Sequence, residues 1–222
     1  LSAHDNVFDR AFGAFLFDMD GTVLNSIAAA ERVWAAWARR HGVDVESFLP
    51  TIHGARAIDT IRRLNLPGVD AEAQSAFIAQ AEIDDVEGIV QIPGAAAFLA
   101  SMPAERWAMV TSAPRDLAVR RLAAAGIPEP ALMITAEDVT AGKPDPAGYR
   151  LAAKRLGLDA RDCLIFEDAA VGIQAAEAAG AGLVIVTTTH QDSLETLHAT
   201  IDSYESLSVT VNSQGQLHLQ KI

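Results

Sequence analysis

Residues 12–24 read Phe12-Gly13-Ala14-Phe15-Leu16-Phe17-Asp18-Met19-Asp20-Gly21-Thr22-Val23-Leu24. The first six residues form a short apolar run of the kind that fills a strand buried on both faces. The run stops at Asp18, and a second carboxylate follows two residues later. If strand geometry continued, Asp18 and Asp20 would project to the same side. Two crowded negative charges are unfavourable unless a cation neutralises them or one carries a proton. Gly21 permits a tight exit and Thr22 adds a hydroxyl. A plain Asx-type turn after a strand would use the same residues.

Working outward, four further apolar runs resemble the first, at 107–111, 132–135, 163–166 and 182–187. Helical patterns at 116–125, 146–156 and 169–179 lie between them and close on Gly126, Gly157 and Gly180. Apolar strands alternating with helices predict an α/β fold, a Rossmann-like parallel sheet with helices on both faces. Ligands bind such sheets beyond the carboxyl ends of the strands. Residues 26–92 break the rhythm, with helical patterns at 28–41, 57–64 and 71–82 and no convincing strand. They read as an all-helical cap domain inserted into a core of 1–25 and 93–222, with hinges near Asn25-Ser26 and Ile92-Pro93-Gly94. Alternating residues 208–212 and 216–220 flank Ser213-Gln214-Gly215 and predict an antiparallel hairpin.

A chain of 222 residues, half of them hydrophobic, buries roughly 70% of its unfolded surface on folding. The net charge of -12 argues against nucleic acid and anionic membranes as partners, since both require basic patches. Cys163 is the one cysteine, so no intrachain disulfide forms, and a reducing, cytoplasmic location is expected. No apolar run reaches the length of a membrane span, and the first residues lack the pattern of a signal peptide. Of 17 basic residues only three are lysines, Lys143, Lys154 and Lys221.

Three more segments carry chemistry. Leu164-Ile165-Phe166-Glu167-Asp168 again delivers acids at the end of a buried run, although Asp168 would equally serve as a helix N-cap. Asp18, Asp20, Glu167 and Asp168 on one sheet edge would form an oxygen-rich cluster suited to Mg²⁺. Val110-Thr111-Ser112-Ala113-Pro114 places hydroxyls and free N–H groups before a helix, a phosphate cradle or a routine cap. Gly142-Lys143-Pro144-Asp145-Pro146 presents a rare lysine in a rigid loop, where it would neutralise phosphoryl oxygens or crowded carboxylates, or simply be solvated.

In order and spacing these four segments resemble the haloacid dehalogenase superfamily of phosphotransferases. Asp18-Met19-Asp20-Gly21-Thr22 looks like its first motif, Ser112 its second, Lys143 its third and Glu167-Asp168 its fourth. Ile92-Pro93-Gly94-Ala95, Thr135-Ala136-Glu137-Asp138-Val139 and Gly172-Ile173-Gln174-Ala175-Ala176 look like its sugar, 2-deoxyglucose-6-phosphate and glycerol-phosphate phosphatase branch, to which β-phosphoglucomutase is related. The resemblance implies a phosphatase in which Asp18 attacks phosphorus and Asp20 serves as general acid and then base. It further implies Mg²⁺ held by Asp18, Asp168, the main-chain carbonyl of Asp20 and Glu167, directly or through water. Ser112 and Lys143 would hold the phosphoryl oxygens. Asp20 itself argues against the dehalogenase branch, which lacks the second aspartate.

The loop Ile52-His53-Gly54-Ala55-Arg56-Ala57 is the expected specificity loop, with Arg56 and, more weakly, His53 as substrate contacts. Trp34 and Trp37 read as cap core. Asn25 and Ala55 depart from the family pattern, where aspartate and arginine are common, and both bear on substrate choice. The expected partner is a small phosphorylated metabolite bound by a monomer or weak homo-oligomer. A hexose-phosphate mutase, or a non-catalytic sensor of phosphorylated metabolites, would share much of this sequence logic.

Overall fold

The computed structural model describes residues 6–190 and 195–222. Residues 1–5 and 191–194 of the expected core lie outside this description. Along the chain, β1 (Ala11–Phe12) and β2 (Ala14–Phe17) lead through a loop to β3 (Leu24–Asn25). Then come α1 (Ile27–Arg40), the short α2 (Val45–Phe48), α3 (Ala57–Leu64) and α4 (Ala71–Asp84), and β4 (Val90–Gln91) leads back. The second half alternates α5 (Ala95–Ala100), β5 (Trp107–Val110), α6 (Arg115–Ala125), β6 (Met133–Ile134), α7 (Ala147–Arg155), β7 (Cys163–Glu167), α8 (Ala170–Ala179), β8 (Gly182–Val186) and β9 (Ala199–Ile201). It ends in the hairpin of β10 (Leu207–Val211) and β11 (Leu217–Lys221).

Six strands form a parallel sheet in the order β6-β5-β2-β7-β8-β9. β2 is central, and the connections run to opposite sides of it, which makes its carboxyl end the switch point where such sheets bind ligands. Alternate residues of β2 feed separate cores, Ala14 and Leu16 on one face, Phe15 and Phe17 on the other. That is why the run is continuously apolar. Phe17 stacks on Phe166 with ring centroids 4.6 Å apart, fixing β2 against β7. The helices between residues 27 and 84 bury a third core of Trp34, Trp37, Phe48, Ile52, Ile61 and Ile78.

Three expectations are corrected. The run at 12–17 is two strands. Phe12 pairs with Leu217 of β11, whereas Ala14 pairs with Cys163 of β7, and the Gly13 N–H between them turns to the carbonyl of Asp162 at 2.7 Å. Residues 26–92 do contain a strand. β4 pairs antiparallel with β3 (Leu24 with Gln91, Asn25 with Val90), so the two segments expected to be hinges form one ribbon. Two solvent-exposed residues are too short to show a period. β9 was not expected either, because as an edge strand it buries Ile201 alone and carries no apolar run.

Candidate active site

The register of the sheet assembles the site. Phe17 lies opposite Phe166 of β7 and Met109 of β5, so the next residues out from each strand converge. The Asp18 N–H continues the ladder to the carbonyl of Phe166 at 3.0 Å. Its carboxylate is buried and accepts a hydrogen bond on Oδ1 from Lys143. Lys143 is not a solvated loop lysine. Its side chain is 6% exposed, and Nζ also donates to Glu167 Oε1 at 2.5 Å. Burial would lower the Lys143 ammonium, but the charges of Asp18 and Glu167 outweigh it and hold it above its ordinary value.

Glu167 turns back on its own loop. Oε1 accepts from Lys143 and from the Tyr149 hydroxyl at 2.9 Å, while Oε2 accepts from the N–H groups of Asp168 and Ala169 at 2.8 and 3.0 Å. It thereby satisfies the two N–H groups of the turn leading into α8, and Asp168 does not serve as the side-chain cap of that helix. Gly172 leaves the room for this, since a Cβ there would sit 1.6 Å from Glu167 Oε1. Asp168 instead accepts from Thr22 Oγ1 at 2.9 Å. Gly21, at φ +87°, passes so close that a Cβ would lie 2.0 Å from Asp168 Oδ2.

Asp18, Glu167 and Asp168 each offer an oxygen within 4.8 Å of the others. Burial, with nearby acids adding to it, raises the Asp18 carboxyl from 3.8 to about 7 against the opposing pull of Lys143, and lifts Asp168 well above its usual range. One ammonium does not offset this much buried acid. A set of hard oxygen donors with surplus negative charge fits a divalent cation.

The expected fourth acid points elsewhere. Regular strand geometry ends at Phe17, so the two aspartates of the first motif diverge. Asp20 Oδ1 accepts from Ser26 Oγ at 2.5 Å and from Arg121 Nη1 at 2.9 Å, and its carboxylate is not part of the metal-sized cluster. Arg121 on α6 also pairs through Nη2 with Glu82 on α4 at 3.1 Å. Neither Arg121 nor Glu82 was singled out from sequence. The readable signal was a charge within an apolar helical stripe, Arg121 among Leu117, Ala118, Leu122 and Ala125, and Glu82 four residues after Ile78. Tyr149 likewise sits on the buried stripe of α7 with Ala152 and Ala153.

A cleft of about 710 Å³, open solvent included, joins these residues to the helical insertion. Its walls include Asp18, Asp20, Asp168, Ser112, His53, Ala55 and Arg121. Thr111 spends its hydroxyl accepting the Ala113 N–H at 3.0 Å, whereas the Ser112 hydroxyl donates to the carbonyl of Gly54 at 2.8 Å. The loop at 52–57 is thus seated on the sheet edge. His53 faces Glu31 at 3.3 Å. Arg56 departs from the expected substrate contact. Its guanidinium holds Asp59 and the carbonyls of Val139 and Thr140, tying the loop to the segment before Lys143, so its donors are engaged within the protein. Asn25 accepts the Ile27 N–H at 3.1 Å, a turn at the start of α1. Trp34 and Trp37 are core, although Trp34 also lines the cleft.

Residues 12–180 match the haloacid dehalogenase-like hydrolase family. The chain belongs to that family. As a haloacid dehalogenase-like hydrolase it is 37% identical over 214 residues to hexitol phosphatase A of Escherichia coli (strain K12), covering 93% of this chain and 98% of that one. It is 38% identical over 183 residues to validoxylamine A 7'-phosphate phosphatase of Streptomyces hygroscopicus subsp. limoneus, covering 79% and 85%. Among solved structures, a hydrolase from Pseudomonas syringae superposes with a TM-score of 0.75 at 26% identity, covering 86% and 94%. Among the described residues of this haloacid dehalogenase-like hydrolase, no helix is long and apolar enough to cross a membrane.

The acid cluster gives the metal-free hydrolase a pH signature. A carboxyl raised to about 7 binds its proton more tightly in the folded state than in the unfolded one. Its contribution to stability is therefore full below about pH 4 and is lost as pH rises through about 7. In chelator, wild type should lose a few kcal/mol relative to Asp18→Asn, which lacks this titration, between those limits. Thermal melts of the two proteins at pH 4–8 check this, and added Mg²⁺ should return the loss at pH 8.

Proposed function

We propose that this chain is a Mg²⁺-dependent phosphatase of small sugar or polyol phosphates, working through an aspartyl-phosphate on Asp18. The observation that carries the reading is the buried Asp18 carboxylate, paired with Lys143 and beside Asp168, in one cleft with Asp20 and Ser112. Hexitol phosphatase A and the validoxylamine phosphate phosphatase are both named for polyhydroxylated phosphoesters, which supports the substrate class.

Asp18 attacks phosphorus as the bond to the leaving alcohol breaks, and Asp20 delivers the proton that alcohol takes. Water then attacks the aspartyl-phosphate. Asp20 accepts its proton, phosphate departs and Asp18 is restored. Lys143 offsets negative charge at the attacking carboxylate and the transferring group, while the Ser112 hydroxyl and neighbouring N–H groups receive phosphoryl oxygens. Asp18, Asp168 and the main-chain carbonyl of Asp20 would hold Mg²⁺. Glu167, with both oxygens engaged, would act through water and by holding Lys143. When bound, the ion supplies positive charge that neutralises the acids and polarises the phosphoryl group.

In this reading residues 26–92 form the cap and the remainder the catalytic core. The cap supplies the specificity surface through His53, Ala55 and the loop that Arg56 braces. The partner is a single small phosphorylated metabolite, met in the cytoplasm by a monomer or weak homo-oligomer. A phosphate-release screen over sugar, polyol and aromatic phosphoesters, with Mg²⁺ or chelator, tests the proposal. Release from hexitol and related phosphates that chelator removes and Mg²⁺ restores is expected. Isomerised sugar phosphate without release would point to a mutase, and thermal stabilisation without any turnover to a sensor.

A further inference from the structure

One buried side chain joins the catalytic loop to the helical insertion. Arg121 is 6% exposed and uses its two terminal nitrogens on different elements, Nη1 on Asp20 Oδ1 at 2.9 Å and Nη2 on Glu82 Oε1 at 3.1 Å. Glu82 is itself 9% exposed and comes from α4, which packs on α6. Ser26, at the hinge, donates to the same oxygen of Asp20 at 2.5 Å. Both donors therefore take Oδ1, and Oδ2 of Asp20 has no hydrogen-bond partner among the described residues.

We infer that Arg121 is a positioning residue, pinning Oδ1 of Asp20 so that Oδ2 is presented for proton transfer, and that Glu82 makes this hold depend on α4 being seated. The inference rests on Asp20 acting as the proton donor proposed above. A guanidinium suits the task because it is a rigid fork with donors for two acids at once. A lysine carries all its donors on one nitrogen at the end of a flexible stem, so it would not reach Asp20 and Glu82 from two separately fixed nitrogens. Glu82 lines the same cleft, but as an acid it would repel a substrate phosphate rather than bind it. Its effect passes through Arg121.

The test separates leaving groups. Sorbitol 6-phosphate, or the fastest alkyl phosphate in the screen, needs a proton on its departing oxygen, whereas the nitrophenolate of p-nitrophenyl phosphate leaves without one. First-turnover rates and KM are measured for wild type, Arg121→Lys and Glu82→Gln, with Mg²⁺ present. Arg121→Lys should slow alcohol release by about 10- to 100-fold, within the range general acid catalysis supplies, with KM within about threefold. First-turnover nitrophenolate release should fall by less than about threefold, because no general acid assists that step. Glu82→Gln should show the same selectivity at about 3- to 10-fold, consistent with one weakened charged contact, and it carries the test should Arg121→Lys not fold.

Equal losses with both leaving groups would overturn the inference. So would a raised KM at unchanged kcat, which would make Arg121 a substrate contact, or variants equal to an active wild type. A wild type that turns over neither ester would remove the phosphatase reading itself, and this inference with it.

Discussion

Asp18→Asn is expected to abolish phosphate release, lowering kcat by on the order of 10⁴-fold or more, as losing a covalent nucleophile does elsewhere. The amide is nearly isosteric with the carboxylate but has no charge to place on phosphorus. Lys143 keeps its bond to Glu167, and Glu167 keeps Tyr149 and the N–H groups of Asp168 and Ala169, so the surroundings remain tied. Removing one of three crowded acids also relieves repulsion, so the variant should melt no lower than wild type in chelator at pH 8. A phosphate-release assay with the best substrate, alongside thermal melts, checks both halves. Release unaffected by the substitution would sink the aspartyl-phosphate mechanism.

Lys143→Ala should damage stability and activity together. It removes the cation from between Asp18 and Glu167, whose side chains are 5% and 0% exposed. Stripping one partner from a buried ion pair costs about 3–5 kcal/mol, on the order of 10 °C in Tm for a chain of this size. The loss should be larger at pH 8 than at pH 5, because the surviving acids can take up protons at the lower pH. Mg²⁺ should restore part of it by supplying the missing charge. Turnover should fall by about 10²- to 10³-fold even with Mg²⁺, as when one donor to a developing oxyanion is removed. Melts at two pH values with and without Mg²⁺, and kcat under saturating substrate, measure these effects. A solvated lysine would leave all of them near wild type.

Much of this architecture was legible because two-sided burial leaves a mark in the chain. The runs ending at Phe17, Val110 and Phe166 are apolar without alternation, and the polar residues that interrupt them meet at one sheet edge. What escaped reading was of two kinds. Short edge pieces such as β4 and β9 bury too little to impose a pattern. Contacts made by tertiary packing leave no local spacing at all. Arg121 and Asp20 are 101 positions apart, and only the oddity of an arginine on an apolar stripe hinted that it had a buried partner. Arg56 shows the converse. A cation in the right loop read as a substrate contact, yet its guanidinium is held by Asp59 and by two carbonyls of a neighbouring loop.

The bond from Ser112 to the Gly54 carbonyl bears on how tightly substrate is held. A hydroxyl has one proton to give, and here it is already given at 2.8 Å to the protein's own chain. In the proposed mechanism a phosphoryl oxygen would gain that proton only as Gly54 loses it, so docking would trade one partner for another and the net affinity from Ser112 would be small. The same trade runs backward when phosphate leaves, with Gly54 reclaiming the hydroxyl. Under the proposed mechanism, product dissociation would be helped by an acceptor that waits inside the fold.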